Sequence, residues 1–298
     1  MRGMLALLMV VILTLTGCSR MSELKRTFFP PHNIIYAGAR SSSYGIKPFP
    51  DPESWEAVLG TMSGYFPDST PCAIWIIGVL YNDHKSCRME FPSDGNNYDN
   101  IVFLDYDKHE EYLSRFDEAG IKVFLQVEPA NADIFTLIDV VLNRYKHHSS
   151  VIGFGVDVEW YHEAEYSGRG EPVDDSTAQK WEARVKSHNK TYKLFLKHWD
   201  RKWMPPTYRG DLVFVDDSQG FDNFERMIAE FTEYWSDYFY PNLVLFQIGY
   251  RKDRSVWDKF NNPPKYLGQM FASKISQNCG VIWVDFTLRD VIPSLATE

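Results

Sequence analysis

Beyond residue 32 the chain alternates between two hydrophobic periods. Short apolar runs of strand length fall at 33–38, 73–81, 122–128, 151–160, 212–216, 243–249 and 281–286. Several of them alternate residue by residue, as strands do. The run 101–105 reads either as an extra strand or as the approach to the next helix. Between most of the runs the period lengthens to that of a helix. In 107–119, Tyr112, Leu113, Phe116 and Ala119 share a face. The segment 177–203 reads as one long helix closed by Pro205 and Pro206, and 221–238 and 264–276 read as helices too. Strand–helix alternation predicts a parallel sheet. Seven strands with room for an eighth, over about 250 residues, predict a single-domain α/β fold, a (β/α)8 TIM barrel spanning 33–298. A doubly wound open sheet is the alternative. It calls for a glycine-rich turn after the first strand, which Ala37-Gly38-Ala39-Arg40 matches poorly.

The barrel reading gives meaning to the stretch VIGFGVDVEWY at 151–161. Alternation places Ile152, Phe154, Val156 and Val158 on one face, and Gly153, Gly155, Asp157 and Glu159 on the other. In a parallel barrel the first face meets the helices and the second points inward. The glycines then leave space low in the barrel, and the two acids stand at the C-terminal mouth, where barrel enzymes keep their chemistry. Two residues along a strand are roughly 6.6 Å, so both carboxylates share one side of that mouth. Burying two acids together is costly, and one should be held protonated, as a general acid must be. The same parity brings Gln126 and Glu128 to the mouth, with Gln247 and nearby Tyr250. Val281, Trp283 and Asp285 share a face of the last strand.

Composition narrows the partners. The chain has 298 residues and a formal net charge of -9, which argues against nucleic acid. It has no phosphate-binding glycine loop followed by lysine, and no cofactor is expected. Nine Trp and 17 Tyr exceed what a core needs and weakly favour a carbohydrate ligand. No His/Cys cluster shows metal spacing, so no metal is expected. His147 and His148 are adjacent, should point apart in regular structure, and read as a solvated helix end.

The N-terminus carries targeting information. Arg2 precedes an apolar run from Met4 to Leu15, and Leu15-Thr16-Gly17-Cys18 follows. This is similar to a bacterial lipoprotein signal, with cleavage before a cysteine that becomes lipidated. Residues 1–17 would be the signal peptide and 18–32 a tether. The mature protein would be extracytoplasmic, held to the membrane in the cell envelope by a lipid on Cys18. In such a compartment Cys72 and Cys87 could close a loop, leaving Cys279 free.

The acid-ended strand also carries a family resemblance. Gly153-Phe154-Gly155-Val156-Asp157-Val158-Glu159 resembles the fourth-strand signature of family 18 glycoside hydrolases, D-G-x-D-x-D-x-E. Gly280-Val281-Ile282-Trp283-Val284-Asp285 looks like that family's closing strand, and 121–125 is similar to its third. The resemblance implies a substrate-assisted reaction. Glu159 would protonate the glycosidic oxygen, and Asp157 would orient an acetamido group of the substrate. Trp283 would floor the sugar site, and Tyr250 would contact the acetamido group. The pattern's first and middle aspartates fall on Ile152 and Gly155, and Gln126-Val127-Glu128 replaces the family's small residues. Two departures from the family reading stay open. One is a two-carboxylate reaction, with Glu128, Asp216, Asp217 or Asp285 as partner of Glu159. The other is a carbohydrate-binding lipoprotein without catalysis.

Overall fold

The computed structural model describes residues 33–292 and Leu295. The expected signal peptide, the lipidated Cys18 and the tether therefore lie outside the described residues. Eight parallel strands close a barrel: β1 (Ile34–Ser41), β2 (Thr70–Leu80), β5 (Lys122–Val127), β6 (Val151–Asp157), β7 (Lys193–Lys197), β8 (Val213–Asp216), β9 (Val244–Ile248) and β10 (Cys279–Val284). Each pairs with its sequence neighbour in this series, and β1 closes the ring by pairing with both β2 and β10. Two short strands, β3 (Cys87–Met89) and β4 (Ile101–Phe103), hang from the end of β2 as an excursion. The run 101–105 is thus an extra strand outside the barrel.

The main helices are α1 (Pro52–Gly64), α2 (Glu110–Ala119), α3 (Ile134–Tyr145), α4 (Asp175–His188), α5 (Phe224–Ala229) and α6 (Pro263–Lys274). Local chemistry starts them. Asp51, Asp133 and Asp174 each accept a hydrogen bond from the backbone N–H three residues on, at 2.7–2.8 Å, and so satisfy donors that the first turn leaves free. α5 runs on through a π-helical stretch, Glu230–Ser236, and a last turn, Asp237–Phe239. α1 and α3 were not among the helices expected from periodicity.

The expected helix 177–203 divides. It ends at His188, and the Asn189 side chain folds into a turn that accepts from Thr191 N and Oγ1 at 3.0 and 2.9 Å. The chain then extends into β7, the eighth barrel strand. Its alternation was hidden because Leu194 and Leu196 are buried on the helix side and Phe195 is buried on the barrel side.

Two apolar layers hold the barrel. Inside it, Cys72, Ile74, Phe124, Phe195, Val213, Val215, Leu245 and Ile282 form one cluster. A larger layer lies between strands and helices and includes Trp55, Trp75, Trp235, Trp257 and Trp283. The three described cysteines are buried free thiols. Cys87 pairs opposite Leu80, eight residues up β2 from Cys72. At strand rise that is about 26 Å, too far for the proposed Cys72–Cys87 bridge. His147 and His148 do not point apart. They lie in an irregular link between α3 and β6, with ring centroids 4.0 Å apart.

Candidate active site

The C-terminal ends of the strands carry a continuous polar ring. On one side, Arg40 at the end of β1 donates to Asp285 Oδ1 at 2.9 Å and to Tyr44 Oη at 3.1 Å. Asp285 Oδ2 accepts from both Ser42 N and Ser42 Oγ at 2.8 Å. Tyr44 in turn donates to Glu128 Oε1, while Glu128 Oε2 accepts from Leu80 N at 2.9 Å. Both carboxylates are therefore fully engaged in holding the rim. Burial raises the Glu128 carboxyl pKa.

The other side centres on Lys197, two residues beyond the inward Phe195 on β7. Its ammonium lies 2.7 Å from Asp157 Oδ2 and 2.5 Å from Asp217 Oδ2, and all three side chains are almost wholly buried. Gln126 Nε2 also donates to Asp157 Oδ2, at 3.2 Å. Glu159 completes the group, although not as expected. β6 stops at Asp157, and Val158–Trp160 form a 3-10 turn. The turn still delivers Glu159 to the mouth. Asp157, Glu159 and Asp217 each offer a carboxylate oxygen within 4.8 Å of the other two. That spacing could cradle a divalent cation, but Lys197 already supplies positive charge between Asp157 and Asp217.

These contacts set the proton affinities. Burial first, then the negative charge of Asp217, pushes Glu159 up to about 7, against the opposing pull of Lys197. Asp157 is raised well above the usual carboxylate range, again chiefly by burial. A carboxyl titrating near neutrality can exist as an acid at physiological pH, which general acid catalysis requires.

Glu159 opens onto a cleft of about 540 Å³, walled by Trp199, Phe221 and Tyr234 and by the polar Asp200, Glu230 and Lys252. Glu230 and Tyr234 come from the π-helical stretch. Trp199 is set by the residues behind it. The His198 ring stacks 5.0 Å from Trp199 and 5.1 Å from Trp203, parallel to the latter. His198 Nδ1 accepts from Asp200 N at 2.7 Å, and Nε2 donates to Arg169 O at 3.0 Å. Both ring nitrogens are thus committed in the neutral form, and burial lowers the pKa to about 4.

The structure redistributes the residues expected at the site. Gln126, Asp157 and Glu159 meet around Lys197. Gln247 is buried and donates to the Tyr250 hydroxyl within the mouth. Glu128 and Asp285 belong to the rim. Trp283 does not floor the site. Ile282 is the residue that turns inward, so Trp283 faces the helix layer, fully buried, with its ring 5.4 Å from Trp257 and its Nε1 donating to Thr287 Oγ1 at 2.8 Å. Gly249 covers it, where a Cβ would lie 2.3 Å from the indole. Of the second carboxylates considered, only Asp217 joins Glu159. Asp216, one residue earlier, faces away and accepts from Ser218 N at 2.9 Å. Lys197 and Trp199 were not anticipated. Reading KLFLK at 193–197 as a strand would have placed Lys197 inward beside Asp157.

No family model and no curated protein matches the chain. Among solved structures it is similar to a protein of Bacteroides thetaiotaomicron assigned as an alpha-L-fucosidase, at 12% identity and a TM-score of 0.52. That match covers 86% of this chain and 88% of the other. It is also similar to an endo-1,4-beta-mannanase from Eisenia fetida, at 11% identity and a TM-score of 0.49, with 84% of each chain covered. The class defined is a single-domain (β/α)8 barrel, and the match to the Bacteroides protein shares that fold. At such identities the likeness concerns the fold.

Proposed function

We propose that the protein is a glycoside hydrolase in which Glu159 is the general acid and Asp217 the anionic partner. The observation that carries this is the Glu159 carboxyl, held near neutral pKa beside Asp217 and Asp157 and opening onto an aromatic-walled cleft. Glu159 gives its proton to the glycosidic oxygen as the C–O bond breaks. Asp217, fixed by Lys197, bonds to the anomeric carbon as the leaving group departs, and water, deprotonated by Glu159, then displaces Asp217 to release the sugar. The close spacing favours the tight carboxylate pair of retaining enzymes over the wider pair that admits a water between them. Acids outnumber the single Lys252 along the cleft, which favours uncharged sugars over uronates or sulfated glycans. The substrate-assisted scheme is less well supported, because the ring of Phe195 fills the place of the middle aspartate at Gly155.

The Leu15-Thr16-Gly17-Cys18 motif supports a lipid anchor on Cys18 in the cell envelope, where glycans are met. Detergent-phase partitioning of the wild type but not of Cys18→Ala tests it.

The deciding experiment is hydrolysis of an oligosaccharide panel, with and without 2-acetamido groups, by the wild type and by Glu159→Gln. Cleavage that does not depend on acetamido groups and disappears in the variant supports the two-carboxylate reading. Cleavage confined to acetamido sugars would restore the substrate-assisted scheme. The second reading is a carbohydrate-binding lipoprotein without catalysis. It is favoured by the ion pairs that tie Asp157 and Asp217 to one buried lysine. Sugar binding that is equal in wild type and variant, with no turnover in either, would select it.

A further inference from the structure

A second convergence of titratable side chains lies outside the barrel mouth. The link between α3 and β6 passes beside the first turn of α2, and three groups meet there. His147 Nε2 and His148 Nε2 lie 3.2 and 3.4 Å from the same oxygen, Oε1 of Glu110. The other ring nitrogens also face acceptors. His147 Nδ1 lies 2.9 Å from the carbonyl oxygen of Arg144, which can only accept. His148 Nδ1 lies 2.7 Å from Asp117 Oδ2, also an acceptor. With its hydrogen on Nδ1, each imidazole would present a lone pair at Nε2 toward Glu110. In that tautomer two nitrogen lone pairs converge with a carboxylate oxygen, whereas an imidazolium would donate to it instead. His148 is only 4% exposed, and its Nε2 is buried without a hydrogen-bond partner.

Either protons on the imidazoles or a cation would hold these groups together, and the distances suit a metal ion. Zinc–nitrogen and zinc–oxygen bonds of about 2.0–2.2 Å in a tetrahedron place neighbouring ligand atoms about 3.3–3.5 Å apart. The two measured separations fall at that edge length, and all three ligand atoms lie within 4.8 Å of one another. The outer contacts are of the right kind as well. A metal-binding histidine usually donates its second N–H to a carbonyl or carboxylate, which orients the ring. Two imidazoles with a single carboxylate suit zinc rather than calcium or magnesium, which take oxygen ligands. His147 and Glu110 are 56% and 49% exposed, so the ion has a way in.

The geometry points to a zinc site formed by His147 Nε2, His148 Nε2 and the Glu110 carboxylate, with a fourth position open to water. The ion pins the start of α2 to the link that leads into β6. The site shares no residue with the proposed active site and does not depend on its chemistry.

The test uses the purified full chain in detergent, with Zn2+ alone as the probe, in competition with a chromogenic chelator. Glu110→Gln and His147→Gln are the variants, since both side chains are exposed and the fold should survive their change. One equivalent of Zn2+ is expected for the wild type, with affinity at least tenfold weaker in each variant. Added Zn2+ should raise the melting temperature of the wild type and leave both variants unmoved. Absence of a bound equivalent overturns the site. So does equal affinity in wild type and variants, which would put the ion elsewhere, for instance at Asp157, Glu159 and Asp217.

Discussion

The ring of Phe195 occupies the space that any side chain at Gly155 would need. A Cβ built on Gly155 would lie 2.0 Å from Phe195 Cζ. The glycine in β6 and the phenylalanine in β7 are thus two halves of one packing solution inside the barrel. Gly155→Ala should cost about 1–3 kcal/mol by overpacking. In a Phe195→Leu background the cost should shrink, because the flat ring is gone. Chemical denaturation of the four proteins of this cycle checks the coupling. Equal cost in both backgrounds would contradict the contact.

Glu159→Gln keeps the side chain's shape and removes its proton. Under the proposed mechanism, turnover should fall by about 10²–10⁴-fold with little change in sugar affinity. Initial rates and binding by the variant measure the two effects separately.

The raised proton affinity of Glu159 gives two pH signatures. Activity should decline as pH rises above about 7, because the acid is lost. Stability follows the same sign. The folded pKa of about 7 exceeds the unfolded value of 4.5, so the protonated carboxyl favours the fold. That contribution is fully present below about 4.5 and is lost as pH rises to 7. Glu159→Gln should therefore raise the melting temperature more at pH 8 than at pH 5. Thermal melts at both values test this.

Lys197 neutralises two buried acids. Lys197→Met should destabilise the protein by about 3–5 kcal/mol at pH 7, the usual cost of leaving a buried partner uncompensated. Because the ammonium lowers the Glu159 pKa, its loss should also move any alkaline limb of activity to higher pH. Denaturation and a pH–rate profile on the same variant report both.

Trp283 and Trp199 should behave in opposite ways. Trp283→Ala removes a fully buried ring and should cost about 3–5 kcal/mol. Trp199→Ala should weaken sugar binding with a smaller effect on stability, since Trp199 lines the cleft. Melting and binding assays on the pair distinguish a core indole from a ligand platform.

Local pattern determined the kind of fold. Strand-length apolar runs alternating with helical periods required a parallel sheet closed by helices. The acid-bearing strand, expected at 151–160, was legible over 151–157 because alternation is a property of neighbouring residues. Tertiary structure decided which side chains meet. β7 is buried on both faces, so its sequence carries no amphipathic contrast, and Lys197 stayed hidden within an expected helix. Trp283 shares its strand face with Val281, but only barrel closure fixes that this face meets the helices. Asp217 reaches Glu159 across two intervening strand pairings, and His147 and His148 converge only because an irregular link passes Glu110. Distances between residues far apart in the chain, and the burial that raises the Glu159 pKa, come from packing the whole barrel. No local period encodes them.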